Sequence, residues 1–217
     1  MSTYFQACVE ENQEIAPGAY VLSFSRSFDF EAGQVIGISL ETDMEPRLYS
    51  IASGNKSTMV EILYTVNPGG LLTPSLSRLR RGDRFFHTAP FGKFTSAAGP
   101  ALWIATGTGI APFVSMLCSG LGKEKTLVYG NRTHHELYFF DRLHAGFPSG
   151  RFFPCTSREV SADTFHGRVT DFIRLHPELA ADLPCHLCGS AEMVVDVRDL
   201  LIGMGVAFDR IFAEIFF

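Results

Sequence analysis

Arg47-Leu48-Tyr49-Ser50 brings a guanidinium, a phenol and a hydroxyl together in one short segment. On a strand, Arg47 and Tyr49 point to one face and Leu48 and Ser50 to the other. An arginine can hold a diphosphate through paired hydrogen bonds, and a tyrosine ring can stack on a planar ring. Taken alone, the commoner meaning is a surface arginine beside a core tyrosine. Further along, Gly69-Gly70-Leu71-Leu72-Thr73-Pro74-Ser75-Leu76 reads as a glycine turn leading into a helix. Thr73 stands where an N-cap belongs and Pro74 at the first helical position, and the free N–H groups of such a terminus favour an anion. Arg47 and this terminus can clamp one diphosphate from two sides. A third segment, Thr106-Gly107-Thr108-Gly109-Ile110-Ala111-Pro112, follows an apolar run and opens a helix, the setting of a phosphate-binding turn. Pro112 takes the third glycine position of a GxGxxG fingerprint and no GK[ST] follows, so neither that fingerprint nor a P-loop is present.

Other reactive residues read as bystanders. Cys185 and Cys188 form a CxxC, but no second cysteine pair accompanies them, so zinc is not indicated. His134-His135-Glu136 is not an HExxH zinc motif, because Phe139 stands where the second histidine is needed; it reads as a solvated helix start. No metal site is expected. At the chain end, Glu214 precedes Ile215, Phe216 and Phe217. An exposed terminal aromatic pair is a poor surface, so it is expected to cover something flat.

The elements that must position these residues fall into two halves. Residues 1–98 hold short segments rich in Val, Ile, Tyr and Phe: AYVLSFS, QVIGISLE, RLYSIAS, MVEILYTV and DRFFHTA. Pro, Gly and Asn punctuate them, the pattern of an antiparallel barrel or sandwich, with one helix inserted at 74–79. After FTSAAGP, strands alternate with helices over 99–217. ALWIAT, KTLVYGN, RFFPCTS, CHLCGS and RIFAEIFF read as strands. GIAPFVSMLCSG, HHELYFFDRLHA, VTDFIRLH and AEMVVDVRDLLIGMG read as helices. That alternation implies a doubly wound, mainly parallel α/β sheet. The crevice between two such domains and the carboxyl edge of the parallel sheet are favoured ligand sites.

Composition bounds the classes. The 217 residues are 46% hydrophobic and 19% charged, enough for a substantial core and against disorder. No run of about 18 apolar residues occurs, so no transmembrane helix is expected. A net charge of −5 argues against a generic nucleic-acid binder. The five cysteines are odd in number and scattered, which reads as reduced thiols. No basic-then-apolar leader is visible at the N-terminus, and a cytoplasmic monomer is expected.

RLYS, GGLLTPSL, GTGIAPF, CGSAEMV and the ending EIFF, in that order and spacing, resemble the plant-type ferredoxin–NADP⁺ reductase superfamily, most closely its bacterial ferredoxin/flavodoxin–NADP⁺ reductases. The resemblance covers nearly the whole chain. It implies an FAD-binding β-barrel followed by an NADP-binding α/β domain. It assigns Arg47, Leu48, Tyr49, Ser50, Leu63, Tyr64, Gly70, Leu71, Leu72 and Thr73 to FAD, with Tyr49 on one flavin face and Ser50 near flavin N5. Thr106, Gly107, Thr108 and Gly109 fall to the nucleotide. Arg132 lies near the expected adenine ribose, and Arg158 (in SRE) and Arg168 (in HGRV) match arginines that grip the 2′-phosphate of NADP(H). Ser50, Cys188 and Glu214 converge on the hydride-transfer site. Phe216 stacks where nicotinamide binds, and Phe217 meets the FAD adenine. The implied activity is hydride transfer between NADPH and FAD, with single electrons passed to ferredoxin or flavodoxin. An NADH-dependent oxygenase reductase, a free-flavin reductase and an electron-transfer subunit of a larger oxidoreductase are the alternatives. Arg78, Arg80, Arg81 and Arg84 are candidates for docking an acidic carrier.

Overall fold

The computed structural model describes residues 3–216. The first half is one six-stranded antiparallel sheet of β1 (Tyr4–Ala16), β2 (Ala19–Ser25), β3 (Val35–Ser39), β4 (Arg47–Ser50), β5 (Met59–Thr65) and β6 (Arg84–Thr88), in the order β4-β3-β6-β1-β2-β5. The outer strands meet where Ile51 bridges Ile62 and Ala52 N donates to Glu61 O at 2.7 Å. This closes the sheet into a barrel and leaves few free edges. Alternate residues fill it, among them Leu22, Phe24, Ile36, Ile38, Ile62 and Phe85.

Two local expectations are corrected here. β1, the longest strand at 13 residues, is absent from the segments read in the sequence. Val9 is its one fully buried residue, and its register slips between Val9 and Glu11 and between Glu14 and Ala16. A bulged strand loses the simple alternation that marks strands. The inserted helix is a single turn, α1 (Thr73–Leu76), rather than 74–79. Thr73 lies inside it and Leu72 takes the cap position; the Thr73 hydroxyl instead accepts from Asn67 N at 2.9 Å and closes the preceding loop.

The second half is a six-stranded parallel sheet. Its elements are β7 (Ala101–Thr106), α2 (Ala111–Cys118), β8 (Lys125–Asn131), α3 (Phe140–Gly146), β9 (Phe152–Thr156), β10 (Phe165–His166), α4 (Val169–Leu175), β11 (Cys185–Ser190), α5 (Ala191–Gly203) and β12 (Ile211–Phe216). The strand order is β10-β9-β8-β7-β11-β12, and every pairing is parallel. β7 is buried on both faces from Ala101 to Ala105, as a continuous apolar run requires. The chain winds outward from β7 in both directions, so the topological switch point lies at the carboxyl ends of β7 and β11. The expected helix HHELYFFDRLHA is broken. Its first part is a 3₁₀ turn, His134–Glu136, closed by Thr133 N and Oγ1 donating to Glu136 Oε2 at 3.1 and 3.0 Å. Phe139 then adopts φ +59°, and α3 starts only after it.

The halves share a core. Ala32, Ala52, Leu63 and Phe94 pack in one cluster with Trp103, Ile110, Phe113 and Met116. Polar contacts fix the junction: Ser115 Oγ donates to Ser53 O at 2.7 Å, Asn55 N to Ser119 Oγ at 2.9 Å, and Arg142 Nη1 to Glu61 Oε2 at 2.7 Å. Lys125 is buried beneath the connecting segment, its ammonium donating to Ala97 O and Gly99 O at 2.6 and 2.5 Å. These contacts hold the barrel against α2, α3 and the start of β8, while Ser50 reaches the carboxyl edge of the parallel sheet at Glu214 of β12.

Candidate active site

Three segments far apart in the chain meet at that edge. Ser50, at the end of β4, donates from Oγ to Glu214 Oε2 on β12 at 3.3 Å. Cys188 on β11 is the register partner of Glu214 on one side and of Ala105 on the other. The Cys188 side chain is fully buried. Burial pushes its thiol well above the usual range, and the neighbouring Glu214 charge pushes it further. A thiol held this way favours its neutral form. Burial also raises the Glu214 carboxyl, against the lowering effect of the Ser50 hydrogen bond. The trio can accept, hold and orient a proton or an amide-like donor at a dry edge.

Beside the trio opens a cavity of about 850 Å³ at the switch point. Thr106, Gly107 and Thr108 line it from β7 and the turn after it, and Ser190 and Phe216 line it from β11 and β12. The buried Tyr129 hydroxyl donates to Gly107 O at 3.1 Å and so anchors this turn. Gly107 has φ +56° and open space where a side chain would be, which leaves its backbone accessible. Thr106 Oγ1 is buried without a hydrogen-bond partner, a polar atom that a ligand can satisfy. Arg132, expected near the adenine ribose, and Arg158 and Arg168, expected on the 2′-phosphate, all line the same cavity and are exposed. Arg158 N donates to Arg132 O at 2.8 Å, which ties their loops together. Cavity size, an orphaned hydroxyl, an open glycine backbone and clustered cations suit a dinucleotide carrying phosphate.

The barrel side presents a different surface. Arg47 is exposed on β4. The half-buried Tyr49 ring meets Tyr64 edge-on at 6.2 Å, and burial pushes the Tyr49 phenol up to about 12. Leu48 and Leu71 are large apolar side chains left 53% and 82% exposed, a surface that a flat ring system can cover. Other assigned residues commit their side chains elsewhere. Leu63 packs in the shared core, Leu72 packs in the barrel, and Tyr64 lies in the barrel core and donates from its hydroxyl to Asn12 Oδ1 at 2.9 Å. These three have only main-chain groups to offer a ligand. Gly70 N is taken by Asn67 O at 2.9 Å. Phe216 packs against the cluster that holds Cys188, and Phe217 lies outside the described residues.

Sequence reasoning missed part of the cavity wall. Pro17, Gly18, Thr65 and Val66 reach it from the barrel, and Glu192 and Asp196 from α5. The position of Glu192, just past a strand end and in the first turn of a helix, was a usable signal for Glu192; the barrel loops carried none.

The comparisons with known proteins follow the same architecture. An oxidoreductase NAD-binding domain model matches residues 103–199. A ferredoxin–NADP reductase of Azotobacter vinelandii is 31% identical over 209 residues, covering 83% of this chain and 81% of that protein. A terephthalate 1,2-dioxygenase reductase component of Comamonas is 31% identical over 230 residues, covering 98% of this chain and 68% of that one. Among solved structures, a ferredoxin NADP⁺ reductase of Neisseria gonorrhoeae with bound FAD and NADP superposes with a TM-score of 0.89 over 100% of both chains, at 22% identity, a likeness of fold. An Amycolatopsis cytochrome P450 reductase reaches a TM-score of 0.85 at 28% identity, over 100% of this chain and 71% of that one.

Proposed function

The chain belongs to the ferredoxin–NADP⁺ reductase family, an oxidoreductase family, and from that premise we propose that it is an FAD-dependent NADPH reductase serving ferredoxin or flavodoxin. The observation that carries the reading is the placement of Arg132, Arg158 and Arg168 around one cavity whose wall continues, through Phe216, to the Cys188–Glu214–Ser50 trio. Arginines binding a 2′-phosphate make NADP(H), rather than NAD(H), the better ligand.

Bound FAD supplies the coupling between a two-electron hydride donor and one-electron carriers. The residues do the positioning. Arg47, exposed on β4, would engage the FAD diphosphate, and the half-buried Tyr49 ring would offer the flavin one flat face. Phe216, at the cavity wall, would cover the opposite face where nicotinamide would bind. Thr106 and Gly107 offer the nucleotide a hydroxyl and an accessible main chain. Cys188 would bound the nicotinamide side, and Glu214, held by Ser50, would keep a hydrogen-bond acceptor there. Holding donor and acceptor aligned is the main contribution such a site makes, and small misplacements cost about 100-fold. The proposed division of labour puts the flavin on residues 1–98 and the nucleotide on 99–217.

A second reading, the reductase component of an oxygenase, is favoured by the Comamonas relative, whose similarity covers 98% of this chain. Purification and acid extraction test the flavin: noncovalent FAD is expected, and FMN alone, or no flavin and no FAD uptake, overturns the proposal. Reduction of ferredoxin, flavodoxin and an oxygenase component, each as sole acceptor, separates the two readings.

A further inference from the structure

The three arginines at the cavity are not equivalent. Arg168 is already engaged: its Nη1 lies 3.2 Å from Glu192 Oε1. The two side chains line the same cavity and come from different elements, Arg168 from the cap of α4 and Glu192 from the first turn of α5. The other carboxylate near Arg168 is occupied. Asp171 Oδ2 accepts from the Arg168 main-chain N at 3.0 Å, and Asp171 Oδ1 pairs with Arg174 at 3.1 Å. Glu136 also lines the cavity, but its carboxylate is held by Thr133. Among the described residues, neither Arg132 nor Arg158 has a carboxylate within 4.0 Å.

We propose that Glu192 is a specificity-determining residue of this cavity: its carboxylate holds Arg168 when no nucleotide is bound and competes with a ribose 2′-phosphate for that guanidinium, lowering the preference for NADP(H) over NAD(H). The inference rests on the NADPH reading of the same site. The pair is solvent-accessible, with side-chain exposures of 66% and 73%, and exposed pairs of this kind are weak. A phosphate therefore displaces Glu192 instead of being shut out by it. After displacement the carboxylate still stands in the same cavity as the phosphate, with Asp196 one turn further along α5 adding a second negative charge. Glu192 is also well placed on its own helix, because a first-turn carboxylate is favoured by the helix dipole and offsets the positive end that faces the cavity. A nucleotide with a free 2′-hydroxyl makes no demand on Arg168, and a carboxylate nearby can accept a hydrogen bond from that hydroxyl. The same side chain thus penalises one ligand class and tolerates the other.

The test uses the full flavin-loaded chain, with 2′,5′-ADP and 5′-ADP as calorimetric probes. The wild type is compared with Glu192→Gln, Arg168→Gln and the double variant. Glu192→Gln is expected to bind 2′,5′-ADP about three- to tenfold more tightly, roughly 0.7–1.4 kcal/mol at 1.4 kcal/mol per decade. Binding of 5′-ADP should change less than twofold. In the Arg168→Gln background the gain should shrink to about twofold, the part owed to relief of carboxylate–phosphate repulsion alone, because no guanidinium is left to compete for. An unchanged 2′,5′-ADP affinity, an equal gain for both probes, or a full gain without Arg168 overturns the proposal. The wild-type ratio of the two probes tests the NADPH reading separately. Equal binding of both by the wild type removes that reading; a preference for 2′,5′-ADP that then emerges in Glu192→Gln still upholds the competing carboxylate, and its absence overturns it.

Discussion

Gly107 and Gly109 belong to one tripeptide but are required for different reasons, and alanine at each position separates them. Gly107 has φ +56°, and a Cβ built there meets nothing within 4 Å. Its substitution costs only the left-handed backbone penalty, about 1–2 kcal/mol. A Cβ on Gly109 would stand 2.4 Å from Cys188 O, 2.5 Å from Cys188 C and 2.6 Å from Gly189 N. Those atoms are backbone of β11, which is fixed by β7 on one side and β12 on the other. No flexible side chain can yield, so the turn or the strand must shift. Overpacking against rigid structure costs about 1–3 kcal/mol and sometimes more, and this contact belongs at or above the top of that range. For a chain of this length each kcal/mol lowers Tm by roughly 2–4 °C. Thermal unfolding should therefore show Gly107→Ala lower by about 2–8 °C, and Gly109→Ala by about 6–12 °C or more. Displacement of β11 should also expose Cys188, so iodoacetamide should label it in native Gly109→Ala and not in the wild type. Equal Tm losses for the two variants, with Cys188 protected in both, would refute the steric argument.

Other consequences follow from the same geometry. Arg158→Ala should raise KM for NADPH roughly 10–100-fold and leave NADH nearly unchanged in steady-state kinetics, since a charge-assisted bond contributes about 1.5–3 kcal/mol; equal losses for both nucleotides would show that Arg158 holds the loop instead. Because the folded Glu214 carboxyl is raised from 4.5, the native state binds the extra proton, and stability falls as pH rises from 4.5 through the folded value. Glu214→Gln should thus gain in Tm relative to the wild type as pH rises above 4.5, and a constant difference would contradict this. His186, stacked on Phe212 at 4.9 Å, is lowered from 6.5 to about 4 by burial. Its unfolded form binds the proton first, so stability should fall as pH drops from 6.5 through about 4, by up to roughly 3 kcal/mol. His186→Phe should flatten that acid limb in urea unfolding; an unchanged slope would count against it.

Local pattern revealed most of the parallel sheet. ALWIAT and CHLCGS are buried over Ala101–Ala105 and over Cys185–Gly189, and they form the two strands that flank the switch point. The barrel was legible as a class, but β1 was not, because bulges break its alternation and Val9 is its one fully buried residue. The break at Phe139 was equally hidden, since its ring lies 4.9 Å beneath the Arg142 guanidinium, a residue committed to Glu61 on the barrel. Ser50 and Glu214 are 164 residues apart, and no periodicity relates them; only family resemblance put them in one site, and in the fold a hydrogen bond of 3.3 Å joins them. Arg168 and Glu192 show the limit of that route. Resemblance marked the arginine, but its partner depends on how α4 and α5 pack in this chain.

The central claim is that one chain brings a flavin on the barrel within hydride reach of a nucleotide held by Arg132, Arg158 and Arg168. Anaerobic titration of the FAD-loaded protein with NADPH, followed in the visible spectrum, tests it most directly. The account predicts that about one equivalent of NADPH bleaches the flavin band within a stopped-flow time course, and that NADH needs a far higher concentration to reach the same rate. A flavin band that survives excess NADPH, or equal reduction by both nucleotides at low concentration, would contradict it.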